Sequence, residues 1–338
     1  MSSAVDDAPV ARATCLYVGR LGDVIVATPF LRALRRRHPR ARLRLIVGAR
    51  AAEVLPLIPF IDEGLTVGRP GEFGAHLRLA AALALGGRED LTVDLNSADS
   101  TTSFWLARAT RARRKLSFDK PRGRALFDWR VPAAGEREHV GERMARLIAA
   151  IGAAGSPELE LRVPDADQAE ADAALARLCA GAGPRALVHP GNLGRAPSLW
   201  PLERLAELCR RLEAAEPDLR LVFLAGPGER AAVESVARAL RRPAPVLHGA
   251  RLGVVAGVAR RCGLLIGSLT STTHLAAAVG AATFAFYEGY TETVWRPRGA
   301  RHGGVVAPDW DNVQKTSVDE AWAALSAHLA RLKPWAAA

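Results

Sequence analysis

An alternation of short β-rich runs with helical patterns constrains the fold of this chain more than any other feature. In the first half, strand candidates occupy residues 14–18, 43–47, 64–67 and 91–95, and helical periodicity recurs over 24–37 and 101–109. Strands that alternate with helices form parallel sheets covered by helices. The sequence therefore predicts an α/β fold.

The alternation lapses between residues 152 and 167, where glycine, proline and acidic residues interrupt it. A second series follows, with strands at 186–189, 219–224, 263–266 and 282–286 and helices at 201–214, 229–240 and 271–279. We therefore predict two doubly wound, Rossmann-like domains, residues 1–160 and 161–338, whose strand ends face a central cleft. A last helix, 318–332, is assigned to the second domain, and its packing back onto the first is left open.

Charge and composition narrow the classes of partner. The chain has 338 residues, 46 lysines and arginines, 35 acidic residues and a net charge of +11, which favours anionic ligands. No nucleic-acid motif accompanies the basic clusters, and no run approaches the roughly 20 apolar residues of a membrane span. We expect a cytoplasmic monomer with at most peripheral, electrostatic membrane contact. Its four cysteines lack metal-site spacing and are expected to be reduced and buried.

The first candidate functional residue is Asp23, which follows strand 14–18 and begins a helix. Gly19 and Gly22 flank it and would allow a ligand to approach closely. A carboxylate at this place can cap the helix, because it accepts hydrogen bonds from the free N–H groups of the first turn. It can also act as a general base in a cleft. From the motif alone, capping is the better interpretation.

The second half repeats the strand, turn and helix scheme. His189 ends a strand and is weighed evenly as a phosphate donor and as a strand-end histidine, whereas Trp200 is expected to pack in the core. Gly226 lies in a glycine turn that could bring backbone N–H groups to a nucleotide, although one such turn is weak support.

Residues 264–274 combine a buried-type strand, a hydroxyl-rich turn and a helix start. Five of the six residues from 268 to 273 carry hydroxyl groups. Backbone N–H groups, hydroxyls and the positive helix end could together hold a phosphate. An ordinary helix cap uses the same residue types, but it needs fewer of them, which favours an anion site.

Arginine-rich segments complete the candidates. The run 35–38 ends a helix and is interpreted as a solvated face. The run 111–115, and Lys120 with Arg122 and Arg124, could instead meet an acidic acceptor.

Taken in order, these segments resemble the heptosyltransferases of glycosyltransferase family 9, bacterial enzymes of the GT-B type that build the lipopolysaccharide inner core from ADP-heptose. The resemblance extends over almost the whole chain, and several blocks in order are more specific than any one alone. The matching blocks are Gly22-Asp23-Val24, Thr28-Pro29, Leu31-Arg32-Ala33-Leu34, Val93-Asp94-Leu95, His189-Pro190-Gly191, Trp200-Pro201, Ala225-Gly226 and His274-Leu275-Ala276-Ala277-Ala278.

The resemblance implies an inverting transferase that needs neither a metal nor another cofactor, with a nucleotide sugar such as ADP-heptose as co-substrate and a glycan or glycolipid as acceptor. It makes Asp23 the general base. The implied donor and phosphate site comprises His189, Asn192, Arg195, Ser198, Gly226, Gly267, Thr270, Ser271, Thr272, Thr273 and His274. The implied acceptor site comprises Arg20, Gly22, Asn96, Arg122 and Arg124.

Two positions depart from the family pattern. Ser198 replaces a lysine that usually stands two residues before Trp-Pro, and Leu269 replaces an aspartate of the turn after the strand. Because the lysine and the aspartate are both absent, no single charge is buried there without its partner. We hypothesise that Arg195 supplies the phosphate cation instead. The alternatives are a different donor, a small natural-product or other surface-glycan acceptor, an epimerase or hydrolase on the same plan, and a binding protein with a degenerate donor site.

Overall fold

The computed structural model describes residues 9–69, 71–179, 183–194, 199–309 and 311–332. The chain divides into two compact units, Met1–Leu159 and Glu160–Ala338. The first unit contains β1 (Arg12–Tyr17), α1 (Leu21–Val26), α2 (Thr28–Arg37), β2 (Arg42–Gly48), β3 (Glu63–Val67), α3 (Phe73–Leu85), β4 (Glu89–Asp94), α4 (Thr101–Ala109), β5 (Ala112–Phe118), β6 (Trp129–Val131) and α5 (Val140–Ala150). A 3₁₀ segment, Ala49–Leu57, lies between β2 and β3.

The second unit contains α6 (Asp165–Leu178), β7 (Arg185–His189), α7 (Leu202–Ala215), β8 (Arg220–Ala225), α8 (Arg230–Arg238), β9 (Val246–His248), α9 (Leu252–Cys262), β10 (Leu264–Ser268), α10 (Ser271–Ala278), β11 (Ala282–Tyr287), α11 (Gly289–Trp295), β12 (His302–Val306) and α12 (Val318–Leu332). A short 3₁₀ turn, Val313–Lys315, precedes α12.

The two sheets have the same topology. The first runs β3-β2-β1-β4-β5-β6 and the second β12-β11-β10-β7-β8-β9, and the strand pairs are parallel. Numbered within its own unit, each sheet has the Rossmann order 3-2-1-4-5-6. The order reverses between β1 and β4 in the first unit and between β7 and β10 in the second, where α/β proteins of this kind bind ligands. The predicted α/β class is confirmed.

Each unit has its own apolar core. In the first, Leu16 and Ile46 of neighbouring strands pack with Leu106 of α4, and in the second, Phe223 and Phe284 pack with residues of α7 and α8. Helix α12 belongs to the second core, since Leu325 is fully buried there and the helix packs against β12 and α7.

The predicted helix over residues 24–37 is two helices. α1 ends at Val26, and Thr28, whose hydroxyl donates to the carbonyl of Ile25 over 2.8 Å, begins α2. Pro29 has no N–H to continue the ladder, and it restricts the residue before it. The chain therefore starts a new helix there, which leaves α1 as a single short turn that carries Asp23.

Candidate functional site

Asp23 lies on the first turn after β1, beside the point where the order of the first sheet reverses. Its Oδ2 accepts a hydrogen bond from the backbone N–H of Arg20 at 2.6 Å. A Cβ on Gly19 would lie 2.8 Å from the same oxygen, so only glycine allows the carboxylate to fold back over the loop. The capping role weighed from the sequence is thus present in the structure.

The environment of Asp23 also suits a base. Burial raises the pKa of its carboxyl above the ordinary value, and the Arg20 N–H and guanidinium offset this only in part. Among the described residues no cation forms an ion pair with it, and its second oxygen has no hydrogen-bond partner. One oxygen therefore fixes the carboxylate, while the other keeps its lone pairs for a proton.

A buried ion pair lies next to this loop, at the end of β4. Lys120 Nζ donates to Asp94 Oδ2 over 2.7 Å and to the carbonyl oxygen of Asn96 over 2.8 Å. Asp94 Oδ1 accepts from the Asn96 amide at 2.7 Å, and the same amide donates to Ser103 Oγ at 2.9 Å. The network ties the loop after β4 to α4. The sequence context suggested that Lys120 could bind an acidic acceptor. In the structure its ammonium group forms an ion pair with Asp94.

A cavity of about 750 Å³ opens at the ends of β1, β2 and β3. Each of the three loops supplies an exposed arginine to its lining, and His76 of α3 and Thr102 of α4 line it as well. The three arginines are Arg20, Arg50 and Arg69. No acidic side chain among the described residues forms an ion pair with any of the three, so the cavity is electropositive.

The predicted acceptor residues therefore do not all lie at this cavity. Arg20 lines the cavity, whereas Gly22, Asn96, Arg122 and Arg124 are not among its lining residues. Gly22 lies half-buried in α1, and the Asn96 amide is engaged with Asp94 and Ser103. Arg122 is exposed on a turn beyond β5, and Arg124 on the same turn forms a bidentate ion pair with Asp119 at 3.0 and 3.2 Å.

In the second unit, His189 ends β7 and is nearly buried. Its Nδ1 lies 3.3 Å from the carbonyl oxygen of Leu224, and burial is the main reason that its pKa is lowered. Because a carbonyl oxygen can only accept, Nδ1 carries the proton and Nε2 of the neutral ring is an acceptor. In this state the ring suits a hydroxyl group, whereas a phosphate would require its protonated form.

The turn between β10 and α10 combines a cap with free hydroxyls. Thr270 Oγ1 accepts from the N–H of Thr272 at 3.2 Å, and Thr273 Oγ1 accepts from the N–H of Thr270 at 3.2 Å. Thr273 also donates to the carbonyl of Ser268 at 3.3 Å and is fully buried. The half-buried Ser271 and Thr272 keep their hydroxyls beside the N-terminus of α10, where the helix dipole favours an anion.

A carboxylate absent from the sequence-based site joins two loops of this unit. Glu229 accepts from the N–H of Leu193 at 2.8 Å with one oxygen and from the N–H of Gly226 at 3.0 Å with the other. A side chain at Gly226 would collide with that carboxylate. Asn192, in the first of the two loops, is exposed, and its Oδ1 accepts from the N–H of Gly194 at 3.0 Å. The sequence signal that could have identified Glu229 is its position as an acidic residue directly after the glycine turn.

Two predicted donor residues have positions that packing explains. A Cβ on Gly267 would overlap the carbonyl oxygen of His189, so this glycine allows β10 and β7 to pair. His274 is buried, with its ring 6.3 Å from that of Trp295. Arg195 and Ser198 lie outside the described residues, so the hypothesis about the phosphate cation remains a prediction.

The described part of the chain contains neither a metal-binding cluster nor a helix able to span a membrane. Within it, no three His, Cys, Asp or Glu side chains lie together as a metal site would require. None of its helices has the length and apolar character of a membrane span. The four cysteines are free and buried.

Several solved structures are similar to this one. A glycosyl transferase family 9 protein from Veillonella parvula DSM 2008 matches with a TM-score of 0.85 and 19% identity over 97% of this chain and 99% of that one. The E. coli ADP-heptose lipopolysaccharide heptosyltransferase II matches with a TM-score of 0.76 and 16% identity over 95% and 99% of the two chains. E. coli heptosyltransferase WaaC, solved with ADP, matches with a TM-score of 0.77 and 19% identity over 94% and 99%.

A search of curated proteins found no significant match. The family model for glycosyltransferase family 9 (heptosyltransferase) matches residues 78–323, well over half of the chain. The matched segment begins after the Asp23 loop, so the role of Asp23 depends on the geometry described above. The chain belongs to glycosyltransferase family 9 and is a glycosyltransferase with two Rossmann-like domains of the GT-B type.

Proposed function

We propose that this protein transfers a heptose or related sugar from ADP-heptose or a similar nucleotide sugar to a hydroxyl group of an anionic acceptor glycan, with inversion and without a metal ion. The lipopolysaccharide inner core is the acceptor that the family membership favours. Asp23 is the general base of this proposal, and the second unit holds the donor.

The observation that carries the proposal is the state of Asp23. A carboxylate that is half-buried, has a raised pKa and forms no ion pair among the described residues is a better proton acceptor than an exposed one. It lies at a sheet reversal point, the usual position of ligands in this fold. Its fixed oxygen, held by the Arg20 N–H, limits the rotation of the group that takes the proton.

The reaction follows from these groups. As the acceptor oxygen forms its bond to the anomeric carbon, the bond from that carbon to the diphosphate breaks on the opposite face. Asp23 takes the proton of the attacking hydroxyl, and the nucleoside diphosphate leaves with the bonding electrons. The transition state gathers negative charge on the leaving phosphate, so donors fixed beside it lower the barrier.

The hydroxyls and N–H groups at the start of α10 are our candidates for this stabilisation, because they point from a helix N-terminus that is already capped from within. Neutral His189 supplies an acceptor for a sugar or ribose hydroxyl in the same unit. Two structures of E. coli WaaC, with ADP and with ADP-2-deoxy-2-fluoro heptose, support an adenine nucleotide sugar as the donor.

The electropositive cavity supports an acceptor with acidic groups. Arg20, Arg50 and Arg69 line it without acidic partners among the described residues, so a phosphate or carboxylate can take bidentate hydrogen bonds there. Arg20 is also the residue whose N–H holds Asp23. Anion binding and positioning of the base are thereby linked through one loop.

The test is Asp23→Asn with ADP-heptose and a lipid-core acceptor. The amide oxygen can still accept from the Arg20 N–H, so the loop is kept while the base is lost. We expect kcat to fall by about 10²- to 10⁴-fold, with little change in donor affinity.

Asp90→Asn is the matched control, because Asp90 is another carboxylate of the first unit that accepts backbone N–H groups, those of Ala11 and Arg12, at 2.8 and 3.1 Å. It should retain full activity. Turnover by Asp23→Asn at the wild-type rate would contradict the proposed mechanism. Failure of every nucleotide sugar tested to raise the thermal midpoint would contradict the donor assignment.

A further inference from the structure

Helix α3 leaves an apolar face exposed on the first unit. Phe73, Leu77 and Leu85 are 77%, 70% and 84% exposed, and they follow one another at the four-residue spacing of a single helix face, with Ala81 between the last two. Trp105 of the neighbouring α4 is 58% exposed. Helices α3 and α4 pack against each other, and large exposed apolar side chains on neighbouring helices are typical of an interaction surface.

Positive charge predominates around this face. Segments 69–88 and 101–113 together carry six arginines and a single carboxylate, that of Glu72. Glu72 is engaged with the backbone, since it accepts from the N–H of Arg69 at 2.7 Å. Arg78 and Arg108 are exposed on α3 and α4, and the described residues provide neither with an acidic partner.

Exposed aromatic and aliphatic side chains beside exposed arginines such as Arg78 and Arg108 are the composition of helices that lie in a lipid interface. The thirteen residues of α3 extend about 20 Å, which is too short for a bilayer core of about 30 Å. A protein partner would commonly supply acidic side chains for the arginines, but an anionic bilayer supplies both the negative headgroups and the apolar layer beneath them.

We propose that the α3 face, defined as Phe73, Leu77, Leu85 and Trp105 with Arg78 and Arg108, docks this protein on an anionic phospholipid bilayer. The same two helices contribute His76 and Thr102 to the electropositive cavity. Docking would therefore bring the cavity to the membrane surface. The relevance of that position for a lipid-linked acceptor rests on the proposed function, whereas binding to lipid does not.

The test uses the purified full chain and sedimentation with vesicles, without any substrate. Phosphatidylcholine vesicles containing phosphatidylglycerol should bind the protein, and phosphatidylcholine alone should bind it at least about tenfold less because the arginines then lack partners. The double variant Phe73→Ser/Leu77→Ser should lose about tenfold or more of the remaining affinity. Val306→Ser, which removes an exposed apolar side chain from β12, is the matched control and should bind as wild type does.

The electrostatic part is tested with Arg78→Gln/Arg108→Gln, which should weaken binding and flatten its dependence on salt. Arg177→Gln on α6 is the control, because Arg177 is equally exposed in the second unit. All these positions are on the surface, so thermal midpoints should match that of wild type.

Vesicle binding unaffected by the apolar double variant would overturn the proposal. So would a concentration-dependent dimer in sedimentation velocity that the same double variant abolishes while vesicle binding is absent, since the face would then bind a second copy. Neither result depends on sugar transfer, and a loss of transfer with intact vesicle binding would count against the proposed function only.

Discussion

The starts of α1 and α10 use the same local hydrogen bond for different purposes. In each, the third helical residue accepts the N–H of the residue before the helix, Asp23 from Arg20 at 2.6 Å and Thr273 from Thr270 at 3.2 Å. Thr273 is fully buried, and its hydroxyl is also spent on the carbonyl of Ser268. Asp23 is half-buried and keeps one oxygen free.

The difference shows that two sheets of one topology present different side chains at the same place in the fold. The reversal point of the first sheet collects charged groups, namely the Asp23 carboxylate, the Asp94–Lys120 pair and the cavity arginines. That of the second sheet collects hydroxyls, backbone N–H groups and the uncharged ring of His189, and its one described carboxylate nearby, Glu229, is bound to backbone N–H groups of the adjoining loops. The backbone fold sets where side chains converge, and a few substitutions at those places decide the chemistry.

The largest effect that we expect on stability comes from the buried pair of the first unit. Lys120→Met removes the cation from the buried Asp94 and should lower the free energy of unfolding by about 3–5 kcal/mol. Urea denaturation of the full chain, with hydrogen exchange of β4 as a local readout, measures this loss.

Two variants control for the removal of a long side chain. Arg124→Met breaks an exposed ion pair with Asp119 and should cost no more than about 1 kcal/mol. Asp94→Asn combined with Lys120→Met should recover much of the loss, since no buried charge then lacks a partner. Equal losses of unfolding free energy in Lys120→Met and Arg124→Met would contradict the prediction that the buried ion pair contributes more to stability than the exposed one.

Two histidines with lowered pKa values should make the second unit sensitive to acid. His302 lies 3.1 Å from the hydroxyl of Thr283 through Nδ1, and His328 is buried on α12; burial and nearby arginines lower the pKa of both to about 4. Their pKa values are lower in the folded than in the unfolded chain, so the unfolded chain binds more protons between pH 6.5 and 4. Stability present above pH 6.5 is therefore lost as the pH falls towards 4.

His302→Asn should remove part of this pH dependence, because the amide can still bond to Thr283 but does not titrate. His248→Asn, at an exposed histidine of β9, should leave the dependence unchanged. Denaturation midpoints at pH 7, 5.5 and 4.5 measure the difference. A wild-type slope in His302→Asn would assign the acid sensitivity to other groups.

The smallest effect concerns the cap of α10. Thr270→Ala removes the acceptor for the N–H of Thr272 and should cost about 1 kcal/mol, while Thr270→Ser keeps the oxygen and should cost only a few tenths. Thermal unfolding with hydrogen exchange of α10 gives both values. If the serine variant loses as much as the alanine variant, the methyl group rather than the hydroxyl holds this turn.

Much of the fold could be predicted from the pattern of residues. The strands predicted at 14–18, 43–47 and 263–266 and the helix Val318–Leu332 appear close to where the spacing of apolar residues places them. Strand β5 was missed, since the run of arginines and lysine at 111–115 was interpreted as a basic cluster. Its long side chains alternate along an inner strand and fold over the surface, with Lys115 Nζ donating to the carbonyl of Ala107 at 2.6 Å.

Part of the candidate site was also within reach of the sequence. A carboxylate after a strand and two glycines identified Asp23, and a run of hydroxyls identified the α10 turn. The role of Glu229 and the ion pair of Lys120 with Asp94 could not be predicted from the sequence. Glu229 binds Leu193, 36 residues away, and Lys120 binds Asp94, 26 residues away, so these groups meet only in the folded chain. A basic side chain beside other arginines gives no sign that it will be buried.

The sequence by itself determined the α/β class, the family and the short turns that present Asp23 and Thr270, because apolar spacing, glycines and helix caps act over a few residues. Only the tertiary structure decided which charged side chains form ion pairs within the protein and which can bind a ligand. Burial and pairing depend on groups that are distant in sequence, and it is their approach that separates Lys120, held by Asp94, from Arg20, Arg50 and Arg69, which line a cavity.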